Sequence, residues 1–500
     1  MTGFKIADEW LDFTAAVGLE IRNPLFDAGT VPGTLSYPIA FADTPANRRR
    51  LRFPATRARQ AAAPLVLVLE ADYYIGGLLW RRGTLRYQGY DSAAREYTYQ
   101  FEADAAALAS RLDGARPPDA VAVELLAVER APDNGDYVLA PIRNSAFYDA
   151  AKNPAWGKVV NYFAPGAGLA SVNTATGPHT HTLVPLFKYV PLLRAAFAQF
   201  GYTLSGAWLD DPEIQQLVVY ATRALDQPLS QEPAPTFLPG AALPDVRVAD
   251  LLLAPQALFC LGYVHNPTRR EITVVALRDV VAGAGARART ARAGFRDVAN
   301  ETDGFRLAFT ADGDDALAKD APLPELRVGN AQETIQPAAD TLRMVREEDP
   351  LQPGRRWLVP AAEQVGQTPR VDFEQGDHRL EHLRFLFYRG LQPDSTGALY
   401  PLASAGTVNY DYQTVGQYAL AWDGEQGLYQ TWHKPWLDFR QAARLEERDV
   451  LLSLGEFLRL DPTAKDEVLG LHFLWERISL SAGGDGTLSD ATITYHQLAR

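Results

Sequence analysis

The chain has 500 residues, which at about 150 residues per domain predicts three or four domains. Its 48 basic and 61 acidic side chains give a net charge of −13. Such a surface argues against sequence-independent nucleic-acid binding, which needs a basic face. The single cysteine, Cys260, excludes an intrachain disulfide and a cysteine metal cluster.

The N-terminal sequence MTGFKIADEW lacks the basic and apolar regions of a signal peptide. No uninterrupted apolar run approaches the roughly 20 residues of a membrane span. We therefore expect a soluble protein that is made inside the cell, with no membrane span. Cys260 falls on the apolar face of a predicted helix, which favours a buried, inert thiol.

Residues 1–142 are predicted to form an N-terminal β-barrel-like domain. Residues 43–54 read as a turn followed by a short helix. The strands that follow are punctuated by glycines, and in TLRYQGY apolar and polar residues alternate with the period of a strand. A strand at 120–128 is predicted to close this small barrel or sandwich.

Residues 143–181 are rich in Gly, Pro, Asn and Thr and are predicted to be an irregular linker. Residues 182–281 are predicted to be two helix-plus-strand modules in tandem. The first has a helix with apolar residues from Leu186 to Phe200, ended by Gly201, and then a short strand at 202–204. A further helix is expected to start at Asp210. The second module has a helix at 248–261 and a strand at 272–277.

Residues 282–406 are predicted to be a mixed, β-rich domain, and 407–500 a C-terminal β-barrel-like domain. The basic run at 283–294 is interpreted as a solvated loop, with an ordered partner contact as the alternative. The last segment should contain a strand at 410–420, a helical insertion at 426–445 and three more strands. The fold class is thus α+β and β-rich, with two barrel-like antiparallel β domains and α/β modules inserted between them.

His378, Glu381 and His382 form an H-x-x-E-H motif, which on a helix could bind zinc with the glutamate as general base. The residues that follow, LRFLFYRG, alternate like a strand. On a strand Glu381 faces away from both histidines, so the mechanism fails and we interpret the motif as structural. His179 and His181 lack supporting cysteines or acids and are interpreted as loop residues rather than as a chelating pair.

Other motifs also favour structural roles. The acidic loop from Asp312 to Asp315 lacks the residue order of a calcium loop, and residues 483–486 are predicted to be a hairpin turn. Trp432, Trp436 and Phe439 lie at helical spacing, which favours core packing or a protein interface over a carbohydrate platform. No nucleophile pattern, phosphate loop or dinucleotide fingerprint occurs. No catalytic, cofactor-binding or metal-binding residues are therefore predicted.

Several stretches together resemble one family. They are LFDAGTVPGTLSYPIAFADTPANRRRLRFP and VLEADYYIGGLLWRRGTLRYQGYD in the first domain, FKYVPLLRAAFAQFGYTLSG and VADLLLAPQALFCLGYVHNPTRREITVVAL in the middle, and YQTWHKPWLDFRQAARLEERDVLLSLGEFLRLD near the end. This pattern is similar to phage tail-tip and baseplate hub proteins, and to the N-terminal hub part of tail-associated lysins. The resemblance touches about two thirds of the chain and carries no catalytic residues across.

The resemblance implies a structural virion protein in the tail, assembled in the host cytoplasm as a ring of three copies. Its expected partners are the tail tube, distal tail or baseplate proteins and the tape-measure protein. The ring should leave a channel through which DNA passes without sequence-specific binding. We take residues 143–180 and 429–439 as the candidate contact patches of that ring, and expect an acidic or neutral channel wall.

Two other functions remain open at this point. The aromatic-rich C-terminal region suggests a receptor-binding or glycan-binding tail component. The H-x-x-E-H motif suggests a metal-dependent hydrolase. A glycan array would test the first, and the zinc content of the purified protein the second.

Replacement of His378 and His382 by alanine is predicted to leave assembly intact, or to impair it only through folding, because neither side chain is expected to hold a metal. Elemental analysis of the purified protein checks this. One transition-metal ion per chain, lost in the double variant, would contradict it.

Overall fold

The computed structural model describes residues 2–13, 16–26, 35–36, 38–52, 67–103, 112, 114–115, 126–127, 131–147, 158–169, 182–225, 236–266, 269–366, 382–483 and 485–498. The chain divides into two compact units. Unit 1 comprises Met1–Arg111, Gly262–Thr302 and Pro435–Arg500, and unit 2 comprises Leu112–Leu261 and Asp303–Lys434. The five segments inferred from the sequence stay a prediction of domain organisation.

Unit 1 is built on one 14-stranded sheet with two halves. The N-terminal half contains strands Gly3–Ile6, Glu9–Trp10, Val17–Arg22, Leu35–Ser36, Ile39–Ala42, Val68–Ile75, Leu78–Asp91 and Glu96–Ala103. The C-terminal half contains strands Ala286–Ala288, Arg296–Val298, Leu445–Val450, Lys465–Val468, Leu471–Ala482 and Ala491–Gln497. A further pair in this part of the chain consists of Leu261–Asn266 and Glu271–Ala276.

Side chains that point to the core and to the outer face alternate along these strands. Along Val68–Ile75 every second side chain is buried, which places Tyr73 in the core and Tyr74 on the outer face. Phe4 stacks on Tyr73 with ring centroids 4.3 Å apart. One hydrophobic cluster includes residues of both halves, for example Phe4 and Phe473. The two halves of the sheet therefore share a core.

In the part of the chain that the structure describes, one strand pair joins the two halves. Val17–Arg22 runs antiparallel to the strand Leu471–Ala482, with six consecutive residue pairs. Immediately afterwards, the Asn23 side chain donates to the carbonyl oxygen of Trp475 at 2.7 Å. This backbone ladder makes the early and late parts of the chain one sheet.

The prediction of a loop at 283–294 is corrected at Ala286–Ala288, which form a strand, although most side chains of this run are exposed. We call residues 286–298 the strap. Ala286–Ala288 pairs in parallel with Lys465–Val468, and Arg296–Val298 pairs antiparallel with Leu445–Val450. These two partner strands are the outer members of a four-stranded antiparallel set. The strap thus bridges both edges of that set, and closure of this kind covers edges that would otherwise be exposed.

Each arginine of the strap pairs with an acid of the C-terminal half, which explains why a run that reads as loop on composition is held as strand. The pairs are Arg287–Asp461, Arg289–Asp466, Arg289–Glu456, Arg292–Asp490 and Arg296–Glu447. Among them the Arg289–Asp466 pair is the buried one, with side chains only 5% and 3% exposed.

The helices of unit 1 are short. They are Pro45–Arg50, Leu277–Ala282, Leu454–Leu458 and, beginning at the unit boundary, Lys434–Ala442. The Thr44 side chain accepts from the backbone N–H of Asn47, which caps the helix expected in 43–54. The helical insertion expected at 426–445 is also present, as a π-helical turn at Tyr429–His433 that continues into Lys434–Ala442.

Unit 2 holds smaller sheets. The largest has six strands, Tyr137–Val138, Leu186–Lys188, Leu217–Tyr220, Leu383–Pro393, Ala339–Thr341 and Leu399–Ser404. A four-stranded sheet contains Val159–Val160, Ile142–Asn144, Arg356–Ala362 and Arg343–Glu348. Smaller sheets contain Leu326–Gly329, Gly304–Leu307 and Glu333–Ile335; Phe163–Ala164 with Gly168–Leu169; and Thr236–Phe237 with Leu126–Ala127. The remaining strand of unit 2 is Thr203–Ser205.

The helices of unit 2 confirm part of the sequence interpretation. They are Tyr189–Gln199, Ala207–Asp210, Pro239–Ala242, Val248–Phe259 and Ala316–Asp320, with a 3-10 turn at Ile214–Gln216. Gly201 has a φ of 74°, the left-handed conformation expected after a helix end. Residues 186–188, which were included in the first predicted helix, form a strand instead.

The prediction of a helix that begins at Asp210 is wrong. Asp211 accepts from the backbone N–H groups of Glu213 and Ile214, but these bonds start only the 3-10 turn. The next residues, Leu217–Tyr220, are all buried and pair on both sides within the six-stranded sheet. A buried run of apolar residues has no alternation, so its sequence does not separate a central strand from a helix.

The strand expected at 410–420 is also wrong. The Asn409 side chain accepts from the backbone N–H groups of Asp411 and Gln413, and Tyr412 has a φ of 62°. These bonds turn the chain back on itself, and one isolated bridge joins Val408 to Thr414.

The predicted fold class is confirmed. The molecule is a β-rich α+β protein, with curled antiparallel sheet in unit 1 and mixed α/β sheets in unit 2. Among the described residues, none of the helices has both the length and the hydropathy needed to cross a membrane.

We expect Arg289→Ala to lower the free energy of unfolding by about 3–5 kcal/mol, because it leaves Asp466 buried without its cation. Arg287→Ala is the matched control. Its pair with Asp461 is 45% and 40% exposed, so the cost should stay below about 1 kcal/mol. Urea unfolding measures both. Equal effects would show that the strap does not depend on the buried pair.

Candidate functional site

The first predicted contact patch, 143–180, is partly integrated into unit 2. Residues 148–157 and 170–180 lie outside the described part. Within the rest, Val159 and Val160 are fully buried. The Asn161 side chain donates to the carbonyls of Ala140 and Val184 and accepts from the Val184 N–H. Residues 159–162 are therefore core, and this portion of the predicted patch is corrected.

The second predicted patch, 429–439, is corrected as well. Trp432, Trp436 and Phe439 are 2%, 3% and 8% exposed. The Trp432 ring lies 5.6 Å from Phe259, and the Trp436 ring lies 5.2 Å from Phe26. The helical spacing of these residues reflects core packing, which was the favoured interpretation. Their buried faces do not form a platform for sugar rings or for a partner.

The remaining sequence motifs have structural surroundings where they are described. His179, His181, His378 and Glu381 lie outside the described residues. Gly483 donates to the carbonyl of Thr487, as a hairpin turn requires. Cys260 is buried at the end of the helix Val248–Phe259. These observations agree with structural roles and add no reactive group.

A buried charge cluster in unit 2 was missed by the sequence analysis. Arg384 lies on the strand Leu383–Pro393, and three aspartates from two other segments surround it. Its Nη1 lies 2.8 Å from Asp315 Oδ2, its Nη2 lies 3.1 Å from Asp312 Oδ2, and its Nε lies 3.4 Å from Asp340 Oδ1. We call these four residues the Arg384 cluster.

Backbone structure positions the cluster. Asp340 lies on the strand Ala339–Thr341, which runs parallel to the Arg384 strand with Asp340 and Arg384 in register. Asp315 caps the helix Ala316–Asp320 by accepting from the Leu317 N–H, and it also accepts from the Glu363 N–H. Asp312 accepts from the side chain of Gln364 and from the Asp314 N–H. Asp312 and Asp315 are thus well supplied with donors.

Asp340 is not. Its Oδ2 accepts one long bond, 3.4 Å, from the Asp312 N–H, and its Oδ1 has no hydrogen-bond donor of good geometry among the described residues. Burial raises the pKa of Asp340 to about 7, a rise opposed by Arg384 and increased by Asp312. This asymmetry makes Asp340 the carboxyl group of the cluster that is most readily protonated.

The cluster cannot act as a metal site of the usual kind. The guanidinium of Arg384 takes the position between carboxylates that a cation would need. Across the described ranges, no group of three or more His, Cys, Asp or Glu side chains has metal-binding geometry. The arrangement can bind protons and anchor strands.

Two further arginines tie loops of unit 2 to its sheets. Arg355 pairs with Asp349 at 2.8 Å and with Asp394 at 2.5 Å, and its side chain is 2% exposed. Arg389 pairs with Glu213, whose carboxylate also accepts from the backbone N–H groups at 417 and 418. Such pairs are structural, because each charge is compensated by a defined partner.

A different feature of unit 1 is open to contact. Lys5, Trp10 and Tyr74 lie on the outer face of the sheet, with the Lys5 Nζ 4.9 Å and 5.0 Å from the two ring centroids. Leu79, the cross-strand partner of Tyr74, is 37% exposed. Trp10 belongs to the strand Glu9–Trp10, which is an outermost strand of this sheet. We call these four residues the edge patch.

No protein-family model matches the chain, and no curated protein matches it. Solved structures do align with it. They include the 43 kDa tail protein of prophage MuSo2 from Shewanella oneidensis, at 9% identity and a TM-score of 0.34, over 99% of this chain and 95% of that one. The tail protein from Neisseria meningitidis MC58 aligns at 9% identity and a TM-score of 0.35, over the same 99% and 95%.

A third structure is the half-lidded PdpA–VgrG complex of Francisella, at 8% identity and a TM-score of 0.27, over 98% of this chain and 54% of that one. Each alignment thus runs along nearly the whole of this chain. TM-scores below 0.5 do not define a shared fold, so the architecture rests on the strands and contacts of this chain itself.

Trp432→Ala should destabilise unit 2 by about 3–5 kcal/mol, because it removes a buried ring from the core. The neighbouring exposed residue gives the control, and Gln430→Ala should change stability by no more than about 0.5 kcal/mol. Urea unfolding followed by tryptophan fluorescence measures this. A Trp432 variant of unchanged stability that lost only self-association would restore 429–439 as an interface.

Proposed function

We propose that the protein is a structural component of a phage-type tail, a tail-tip or baseplate hub that joins the tail tube to the host-facing tip. The sequence resemblance is one support. The other is architectural. The resemblance implies two barrel-like β regions interrupted by α/β insertions, and the β-rich unit 1 is indeed made from segments that flank the α/β part of the chain.

The observation that carries the proposal is that unit 1 is built from segments that are separated in the sequence by unit 2. The N-terminal strands up to Glu96–Ala103 and the C-terminal strands from Leu445–Val450 onward share one sheet and one core. Residues 303–434 and 112–261, which hold the mixed sheets of unit 2, lie between them in sequence.

In this proposal three copies form a ring in the virion tail. The ring contacts the tail tube on one side and distal tail or baseplate proteins on the other, and the tape-measure protein and DNA pass through its channel. Cyclic symmetry makes each self-contact heterologous, with two different patches meeting. The net charge of −13 is compatible with an acidic or neutral channel wall, along which DNA can slide.

The edge patch is the surface that we assign to one side of the self-contact, in place of the two patches inferred from the sequence. An outermost strand presents unpaired backbone groups that can pair with another chain. Next to it, Trp10, Tyr74 and Leu79 provide apolar area of the kind enriched in interfaces. A second copy of this chain is the occupant that a closed ring requires.

The purified protein should form three-fold rings, visible by mass photometry and negative-stain imaging. Leu79→Glu should weaken this association at least tenfold, because a carboxylate would be buried in the contact without a partner. Leu469→Glu is the control, since Leu469 is 72% exposed in the other half of the sheet. We expect that variant to associate as the unsubstituted protein does.

Three outcomes separate the parts of this proposal. A protein that stays monomeric at high concentration and in the intact particle contradicts the hub. Rings that persist in the Leu79 variant contradict the edge patch alone. A channel lined by lysine and arginine, seen in the assembled particle, contradicts the electrostatic expectation alone.

A further inference from the structure

We propose that Asp340 and His382 share one exchangeable proton, and that this proton makes the packing of the six-stranded sheet of unit 2 sensitive to pH in the neutral range. The inference goes beyond the proposed hub function and does not depend on it. It rests on the charge count of the Arg384 cluster, on the unequal hydrogen bonding of its acids and on a route from the cluster to solvent.

The charge count comes first. With all three aspartates ionised, the cluster would hold three negative charges against one positive charge. Its four side chains are between 2% and 11% exposed. At such burial a net charge of −2 is costly, because water does not screen the repulsion between the carboxylates. One bound proton halves that excess.

The hydrogen bonds decide where the proton resides. Asp312 and Asp315 each accept hydrogen bonds from side-chain or backbone donors besides Arg384. Asp340 accepts only the long bond from the Asp312 N–H among the described residues. Protonation therefore costs the cluster least at Asp340.

His382 is the second member of the pair. Its Nε2 lies 3.9 Å from Asp340 Oδ2 and has no hydrogen-bond partner among the described residues. Burial lowers the pKa of His382, so the imidazole alone is a poor proton acceptor at neutral pH. Facing an ionised Asp340, however, a protonated imidazole would form an ion pair. The two groups can thus hold one proton in either of two arrangements, as coupled sites do.

The charged and titratable groups around this pair can be named. Arg384, Asp312 and Asp315 face the pair directly. Tyr220 lies on the neighbouring strand Leu217–Tyr220, directly opposite Arg384. Tyr220 accepts a hydrogen bond from Asn144, and burial raises the pKa of Tyr220 to about 12, so it stays neutral in this range. It therefore does not compete for the proton.

The proton can exchange without unfolding. A cleft lined by Asp315, Asp340, Thr341 and Arg343, with apolar walls from the helix Ala316–Asp320, leads from this region toward solvent. It contains about 30 Å³ of space, enough for one or two waters. A water there could relay a proton to Asp340.

The raised pKa of Asp340 sets the direction in which the stability of the sheet changes with pH. The folded-state pKa of Asp340 is raised, to about 7, so the stability linked to its neutral form is complete below its ordinary pKa and is lost as pH rises through 7. Loss of the proton places a second excess charge at the parallel pairing of Ala339–Thr341 with Leu383–Pro393. That pairing should therefore loosen as pH rises toward 7 and change no further above it.

The experiment is hydrogen exchange of the full chain, followed by mass spectrometry from pH 6 to 8.5 and corrected for the intrinsic pH dependence of exchange. Protection of peptides that contain Ala339–Thr341 or Leu383–Pro393 should fall by up to about tenfold as pH rises from 6 to about 7, and should then level off at higher pH. Peptides from the unit 1 strand Leu471–Ala482 provide the internal reference, and their corrected protection should stay constant.

Three variants complete the design. Asp340→Asn, a neutral isostere, should abolish the fall. Asp314→Asn is the matched control, because this aspartate lies exposed in the same loop, and its profile should equal that of the unsubstituted chain. His382→Gln removes one of the two arrangements of the proton, so the fall should level off at a lower pH.

The unsubstituted protein alone can overturn the proposal, even if a variant fails to fold. Constant protection of both peptides between pH 6 and 8.5 would do so. An Asp340→Asn protein with the same fall would overturn it as well. So would an Asp340→Asn protein less protected than the unsubstituted chain at every pH, since that result would mean that Asp340 is an ionised partner of Arg384.

Discussion

The pairing of Val17–Arg22 with the strand Leu471–Ala482 is the constraint on which unit 1 depends. Six consecutive residue pairs connect two half-sheets whose side chains also pack in one core. The polar bond from Asn23 to Trp475 fixes the register where the ladder ends. A shift by one residue would exchange the inner and outer faces of the strand and expose Leu19 and Ile21. The shared core thus requires this one register.

Charge is used differently in the two units. In unit 1 the strap is held by four arginines that pair with acids, and one of these pairs, Arg289–Asp466, is buried. In unit 2 arginines such as Arg384 and Arg355 lie inside, and each gathers more than one acid from separate segments. Exposed pairs contribute little to stability, whereas buried ones strongly penalise the loss of one partner. The acidic excess of the sequence is therefore partly internal.

The sequence predicted the elements whose signal is local. Alternation located strands such as Leu78–Asp91, helical spacing located Val248–Phe259, and a positive φ was anticipated at Gly201. It failed where distant partners decide the structure. The sequence of the strap predicts a loop, because the acids that pair with its arginines lie far away in the sequence. The Arg384 cluster joins residues with no common spacing, and its only local signal was the acidic run around Asp312, which had been weighed as a calcium loop.

The order of strands in unit 1 has a consequence for biosynthesis. Asn23 and its partner Trp475 are separated by 452 residues, and the strap that bridges the C-terminal strands comes from between them. The strand Val17–Arg22 cannot pair with Leu471–Ala482 until almost the whole chain has left the ribosome, so one edge of the N-terminal half-sheet stays unpaired until then. Contacts of such long range are slow to form and leave strands exposed to wrong partners in the meantime. Unit 2, whose segments are all synthesised earlier, can be folded by then.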